Sequence, residues 1–188
     1  MIISKPKTPK TPKTKYSFEL ALDNSRIADY FDLRQQIFCQ EQGLFQGNDR
    51  DAIDDHAYPI VALAKPFQEN IAHQPNQPDC IVGVVRIYEK SPRIWYGGRL
   101  GTHPDFRRGW RIGKGLIQKA VTTANTWGCD RFLATVQEQN VRFFTRLHWD
   151  SLKEIEVLGK PHHLMQADLD FYPAGDQVRP VLRAREVA

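Results

Sequence analysis

No stretch of this chain approaches the ~20 consecutive apolar residues that a membrane span requires. The N-terminal segment lacks both the apolar core of a secretory signal and the Arg-rich amphipathic pattern of a transit peptide. Cysteine is scarce. Cys39, Cys80 and Cys129 are odd in number and far apart, which fits neither a disulfide framework nor a zinc site. The expectation is a cytoplasmic protein in a reducing compartment, with no metal. Acids are missing from residues 1–15, where five lysines stand among Thr-Pro-Lys repeats. Of the chain's 26 Lys and Arg, 21 then remain in the body against 22 Asp and Glu. The formal charge of +4 is therefore a property of the tail. A near-neutral body argues against a nucleic-acid-binding surface, which needs a basic face.

What remains is ordinary globular protein of 188 residues, 41% apolar. Residues 1–15 read as a solvated, extended Lys/Pro/Thr tail. Residues 16–175 read as one α/β domain, and 176–188 as a C-terminal extension. Strands are predicted over 16–23, 57–66, 80–90, 93–103, 131–136, 152–158 and 162–170. Helices are predicted after a cap at Asn24 or Ser25, following the 107–118 stretch to about Thr126 with an apolar stripe at Ile112, Leu116, Ala120 and Ala124, and over 138–147. Residues 43–56 and 67–79 read as loops. Gly97 and Gly98 fall inside a strand, which suggests a bulge or a close backbone approach. The order predicts a mixed, mostly antiparallel sheet of about seven strands flanked by helices.

The stretch "RRGWRIGKGLIQ" (107–118) carries the chemistry. A helix entrance offers about four unpaired N–H groups and roughly half a positive charge. Gly109, Gly113 and Gly115 let that backbone approach an anion, and Arg107, Arg108 and Lys114 add charge. The spacing matches neither Gly-x4-Gly-Lys-Ser/Thr nor GxGxxG. A phosphate-bearing cofactor follows, and a Walker nucleotide site does not. The alternative is a glycine-containing helix cap with solvated arginines.

The wider segment "RLGTHPDFRRGWRIGKGLIQKAV" (99–121) resembles the acetyl-CoA-binding motif of the GNAT superfamily of N-acyltransferases, and "NVRFFTRLHW" (140–149) resembles a downstream element of that family. The resemblance covers roughly 17–171. It implies the coenzyme A pyrophosphate on the backbone of Arg108, Gly109, Trp110, Arg111, Ile112 and Gly113, with Arg107, Lys114 and Gly115 alongside. It implies the pantetheine arm along Leu100, Gly101 and Thr102, with Asn140 and Phe143 near the sulfur. The strands at 93–103 and 131–136 would splay to admit the thioester.

Three positions depart from the pattern. Arg111 replaces the motif's first glycine, Phe144 the usual tyrosine acid, and His148 the glycine before the terminal aromatic. A further stretch, "FTRLHWDSLKEIEVLGKPHHLMQADLDFYP", is similar to a bacterial subfamily encoded in nitrilase-associated gene clusters.

For the proton chemistry, Glu41, Asp49, Asp51, Asp54, Asp55 and His56 cluster between the first helix and the second strand. In some GNAT branches Arg34, Glu41 and Asp55 match a recurring pattern, and an acidic pocket would favour a cationic acceptor. The plain alternative is a solvated acidic loop. Tyr96 is a candidate to replace the missing phenol. His103 and Cys129 read as structural, and one of His162 and His163 must face inward. The implied activity is acetyl transfer from acetyl-CoA to the amine of a small molecule, by a protein that resembles commonly dimeric relatives. The competing reading is a GNAT-fold module that binds CoA, or nothing, without turnover.

Overall fold

The computed structural model describes residues 15–64 and 79–182. Residues 1–14 of the expected tail and 67–78 of the expected loop lie outside them. The described chain runs β1 (Tyr16–Leu20), α1 (Asn24–Arg34), β2 (Tyr58–Ala64), β3 (Cys80–Ser91), β4 (Ile94–Thr102), α2 (Arg111–Thr126), β5 (Arg131–Gln137), α3 (Glu138–Thr145), β6 (Trp149–Val157) and β7 (Lys160–Ala167). One seven-stranded sheet has the order β1-β2-β3-β4-β5-β7-β6. Only β4 and β5 run parallel.

Two findings refine the predicted elements. The first helix is capped by Asp23, whose side chain accepts from the Arg26 N–H, and not by the expected Asn24 or Ser25. It ends at Arg34 and passes into a wider π-helical stretch, Gln35–Glu41. The expected loop over 43–56 contains a short 3-10 helix, Ala52–Asp55. Asp51 and Asp54 close it reciprocally as a capping box. Two acidic-loop positions that a solvated loop would expose, Asp49 and Asp54, are buried, with exposures of 2% and 6%.

Each face of the sheet carries its own core. Ile112, Leu116, Ala120 and Ala124 form the α2 stripe read from the sequence and pack on Ile60, Ile87, Trp95 and Phe132. Tyr30, Phe31, Ile37 and Phe38 cover the other face on Val61 and Val84. Within residues 176–182, Leu182 packs on the first core, and other residues make individual contacts to it. Arg179 bonds the Tyr58 hydroxyl at 3.0 Å and Glu89 at 2.7 Å, and its guanidinium lies 4.7 Å from the Trp95 ring. Trp127 donates to the Gln177 carbonyl at 2.8 Å.

α2 approaches the sheet closely because glycine stands on both sides of the contact, Gly83 on β3 and Gly115 on α2 itself. A Cβ on Gly83 would stand 2.7 Å from Ile112 Cγ2 and 3.0 Å from Leu116 Cδ1. A Cβ on Gly115 would stand 2.1 Å from the Phe18 ring. Ile112 is branched and buried, so it has little freedom to retreat. Gly83→Ala is expected to cost about 1–3 kcal/mol by overpacking, read as a lowered urea midpoint at unchanged slope.

Candidate functional site

The parallel pair is short. Its register runs from Ile94↔Arg131 to Gly97↔Ala134 and stops. Beyond it β4 stays with β3, as far as Gly83↔Thr102, and β5 stays with β7, as far as Gln137↔His162. The two strands therefore part after Gly97, as expected for a splayed pair. β4 also carries an extra residue. Val84 faces Gly101 and Arg86 faces Gly98, so three β4 steps oppose two on β3. Arg99 sits in this bulge with φ 53°, the left-handed region that a long side chain occupies only when its surroundings hold it there.

A cleft of about 1030 Å³ opens at the split. Its lining includes Tyr88, Tyr96, Gly98, Arg86 and Arg99 from β3 and β4, Ile117 and Val121 from α2, and Phe132 from β5. Tyr88 and Tyr96 stack with centroids 5.8 Å apart and planes 24° apart. Burial pushes the Tyr88 phenol up.

The wall behind Arg86 and Arg99 is a buried charge cluster. Arg34, at the end of α1, is 0% exposed. It donates from Nε to Asp49 at 2.8 Å, from Nη1 to Asp54 at 2.6 Å and from Nη2 to Asp54 at 3.0 Å. It also reaches the Asp49 carbonyl at 3.0 Å and the Tyr30 hydroxyl at 3.2 Å. Arg86 forks onto Asp51 at 2.6 and 2.8 Å. Arg99 bonds the Asp49 carboxylate and carbonyl, both at 3.0 Å. Three guanidiniums thus answer three carboxylates, and the acidic loop carries no free excess from these residues. Arg86 and Arg99 were not singled out in the sequence. The available signal was a cation at the centre of the apolar strand "CIVGVVRIYEK".

The predicted site residues divide. Glu41, Tyr96, Leu100, Arg107 and Asn140 line the cleft, as do Phe144 and His162. Asp55 is exposed and is not among the lining residues. Arg107 grips Glu41 through two nitrogens, one at 2.7 Å, and donates from Nε to the Thr102 carbonyl at 2.9 Å. The hydrogen bonding from the Arg107 guanidinium holds the Glu41 carboxyl below its ordinary value, against a smaller opposing effect of burial. Glu41 therefore stays ionised at neutral pH and is a weak proton acceptor. Gly101 is pressed toward the π-helical stretch after α1, where a Cβ would meet Ile37 at 3.0 Å and Phe38 at 3.2 Å.

The entrance of α2 is reached through Arg108 and Gly109, both exposed, with Gly109 at φ 82°. Its N-cap residue, Trp110, makes no side-chain cap, and Lys114 is exposed. Arg111 lies over Tyr16, 5.1 Å from the ring centroid, and Ile112 is buried. Gly113 abuts Phe143, whose ring would lie 3.4 Å from a Cβ there. Phe143 in turn meets Trp110 edge to face at 5.0 Å. Gly115 serves packing against Phe18.

His148 keeps the backbone of the glycine it replaces, with φ 60°, and its ring stacks on Phe171 at 3.7 Å. His103 accepts from the Asp105 N–H, a capping role. His163 faces Glu138 and Ser151, while His162 faces the cleft. Cys129 is buried, and burial pushes its thiol up to about 11. Among the described residues no helix is long and apolar enough to cross a membrane.

Burial alone would raise the Asp54 carboxyl; hydrogen bonding and charge from Arg34 and Arg86 outweigh it and hold the group below its ordinary 3.8. Burial likewise opposes the lowering of Asp51, which Arg86 dominates. Both carboxyls therefore contribute stability that is whole above about pH 4 and is lost as pH falls through their folded values. Thermal melts are expected to be flat from neutral pH to about pH 5 and to fall steeply below pH 4. Asp54→Ala, which strips Arg34 of a buried partner, is expected to cost about 3 kcal/mol or more at pH 7, and its melts should lose part of the acid dependence.

Residues 29–149 match the model of the acetyltransferase (GNAT) family. A search of curated protein sequences returns no match. Solved structures share the fold. One from Lactobacillus plantarum, assigned as an N-acetyltransferase, is 19% identical, covers 81% of this chain and 97% of its own, and superposes with a TM-score of 0.68. ElaA from Escherichia coli is 18% identical over 83% of this chain and 100% of its own, with a TM-score of 0.62. The CoA-dependent acyl-homoserine lactone synthase BjaI, solved with SAM and isopentyl-CoA, is 15% identical over 82% of each chain, with a TM-score of 0.59. At these identities the likeness speaks to the fold. Together with the family match across α1 to the start of β6, it shows that this chain belongs to the GNAT acetyltransferase family.

Proposed function

We propose that the protein transfers an acetyl group from acetyl-CoA to the amine of a small molecule, by direct attack within the cleft. The observation that carries this is the early end of the β4–β5 pairing at Gly97↔Ala134. It leaves the β4 edge beyond Gly97 without a neighbouring strand, so its backbone groups can bond an extended arm as a further strand would. Leu100, Gly101 and Thr102 would carry pantetheine in this way. The pyrophosphate would rest at the α2 entrance, on the amides of Trp110 to Gly113, with Arg108 and Lys114 supplying charge. Arg107 is a poorer phosphate ligand than the sequence suggested, because Glu41 and the Thr102 carbonyl already hold its fork. Phe143 would shape that entrance by packing on Gly113, and Asn140 would stand at the sulfur end of the cleft.

The amine nitrogen attacks the thioester carbonyl carbon, the C–S bond breaks, and the thiolate leaves. The amine's proton goes to water that Glu41 orients. Tyr96 lines the cleft and pairs with Leu133 next to the last parallel pair; in this reading its phenol would protonate the thiolate. A thiolate with a pKa near ~8.5 leaves without much help, so this acid is useful rather than essential. Asp55 has no part in this scheme.

The alternative, a CoA-holding module without turnover, has one observation in its favour. Phe144, at the position where the family has tyrosine, is buried in the cleft wall and bears no proton.

Thiol release from acetyl-CoA, assayed over polyamines, amino acids and aminoglycosides, is expected with at least one acceptor class. CoA binding without release across the panel would favour the module. Arg108→Glu is expected to weaken CoA uptake about tenfold or more by calorimetry. An unaltered affinity, or no CoA uptake by the native chain, would sink the proposal. Tyr96→Phe is expected to lower kcat about tenfold with CoA affinity unchanged.

A further inference from the structure

Arg86 occupies the middle of β3 and is 4% exposed. Its two terminal nitrogens are spent on Asp51, and Nη1 also stands 3.0 Å from Asp54. Its Nε–H has no hydrogen-bond partner, although it is fully buried. Most buried donors of native folds are met by protein, water or a bound group. Trp95 Nε1 and Thr123 Oγ1 are the other unmet side-chain atoms among the described residues, and of the three residues only Arg86 lines the cleft. Directly across the ladder from Arg86 is Gly98. A Cβ there would sit 3.6 Å from Arg86 Nε, with only the Arg86 side chain near it. Any larger residue would stand over the nitrogen, and both Arg86 and Gly98 line the cleft.

The charge around this gap has one sign on the cleft side. Asp49, Asp51 and Asp54 stand behind the guanidiniums and are not among the residues lining the cleft, whereas Arg86 and Arg99 are. Lys160 lines it too, and Glu41, the cleft's acid, is already matched by Arg107. Burial first, then the neighbouring Arg86 and Arg34 charges, holds the Arg99 guanidinium below its ordinary value. An anion entering here would relieve that crowding of positive charge.

We infer that the acceptor carries a carboxylate beside its reacting amine, and that the Arg86 Nε–H receives this carboxylate in the gap left by Gly98, with Arg99 at its side. The inference rests on the acyl-transfer reading and names the substrate class of that site. Distance fixes the class further. Gly98 is the first residue past the last β4–β5 pair, and one strand residue spans about 3.3 Å. The carboxylate seat therefore lies within a few ångströms of the point where the thioester would enter. Amine and carboxylate must be close in the acceptor, as in an α- or β-amino acid, and a long polyamine does not fit. The stacked Tyr88–Tyr96 pair offers an aromatic wall to the amino acid's side chain.

The test uses the full chain with CoA present. α-Amino acids and β-alanine are each paired with the matched amine that lacks the carboxylate. Binding is read by calorimetry, and turnover by thiol release. At least one amino acid is expected to bind about tenfold or more tightly than its decarboxylated partner, the difference that a charge-assisted hydrogen bond supplies. Gly98→Ala leaves the charge cluster intact and is not at a left-handed φ. It is expected to raise KM for that amino acid about tenfold while leaving CoA affinity and the thermal midpoint near native. Arg86→Lys is expected to abolish the preference, and its melting curve shows whether it remains folded. Equal or better binding of the decarboxylated amines would overturn the inference, as would an amino-acid preference that Gly98→Ala leaves unchanged. Because carboxylate binding is read apart from turnover, a protein that binds amino acids without thiol release would refute the acyl-transfer reading and uphold the seat.

Discussion

The structure around the cleft depends on the charge of Arg34. A fully buried guanidinium is tolerable only when its donors are met, and this one is met by Asp49, Asp54 and the Tyr30 hydroxyl. Those bonds tie the end of α1 to a stretch that sequence composition would leave in solvent. The same acids then anchor Arg86 on β3 and Arg99 on β4. One ion therefore draws a helix end, a polar loop and two strands into a single wall. Without the loop's carboxylates, Arg86 and Arg99 would have no counter-charge and the bulge on β4 would have nothing to hold it.

That bulge connects packing to chemistry. Arg99 at a positive φ is a local cost of roughly 1–2 kcal/mol, offset by its bonds to Asp49. What the extra residue achieves is a change of direction in β4 at the place where β5 leaves it. The cleft is therefore a consequence of backbone register, and its lining follows from which β4 and β3 residues face each side. Arg107 and Glu41 fasten the far end of β4 to the π-helical stretch after α1, so both ends of this wall are pinned by arginine–carboxylate pairs.

Periodicity made the seven strands and three helices legible, because each buries one face against a continuous core. The apolar stripe of α2 and the glycines of 97–98 were visible for the same reason. The splay was legible only through resemblance to a known family, since nothing local in "GGRLGT" states where its neighbour departs. The acidic run at 49–55 misled in a specific way. Its composition is that of a solvated loop, but its partners lie 15 to 50 positions away, and charge pairing over such separations leaves no periodic trace. Arg107 stood out by its place in a basic stretch, yet its bond to Glu41 spans 66 positions and was invisible. His148 shows the converse. Its sequence breaks the family's glycine pattern, while its φ of 60° keeps the backbone that the pattern describes.

The segment beyond residue 175 changes what counts as the domain. Arg179 lies flat among Tyr58, Trp95 and Trp127, and the Gln177 carbonyl takes the Trp127 indole proton. A chain cut at 175 would uncover part of the Tyr58, Trp95 and Trp127 cluster that Arg179 packs on. Its failure would show as clumping during expression, with every residue of the cleft itself still present.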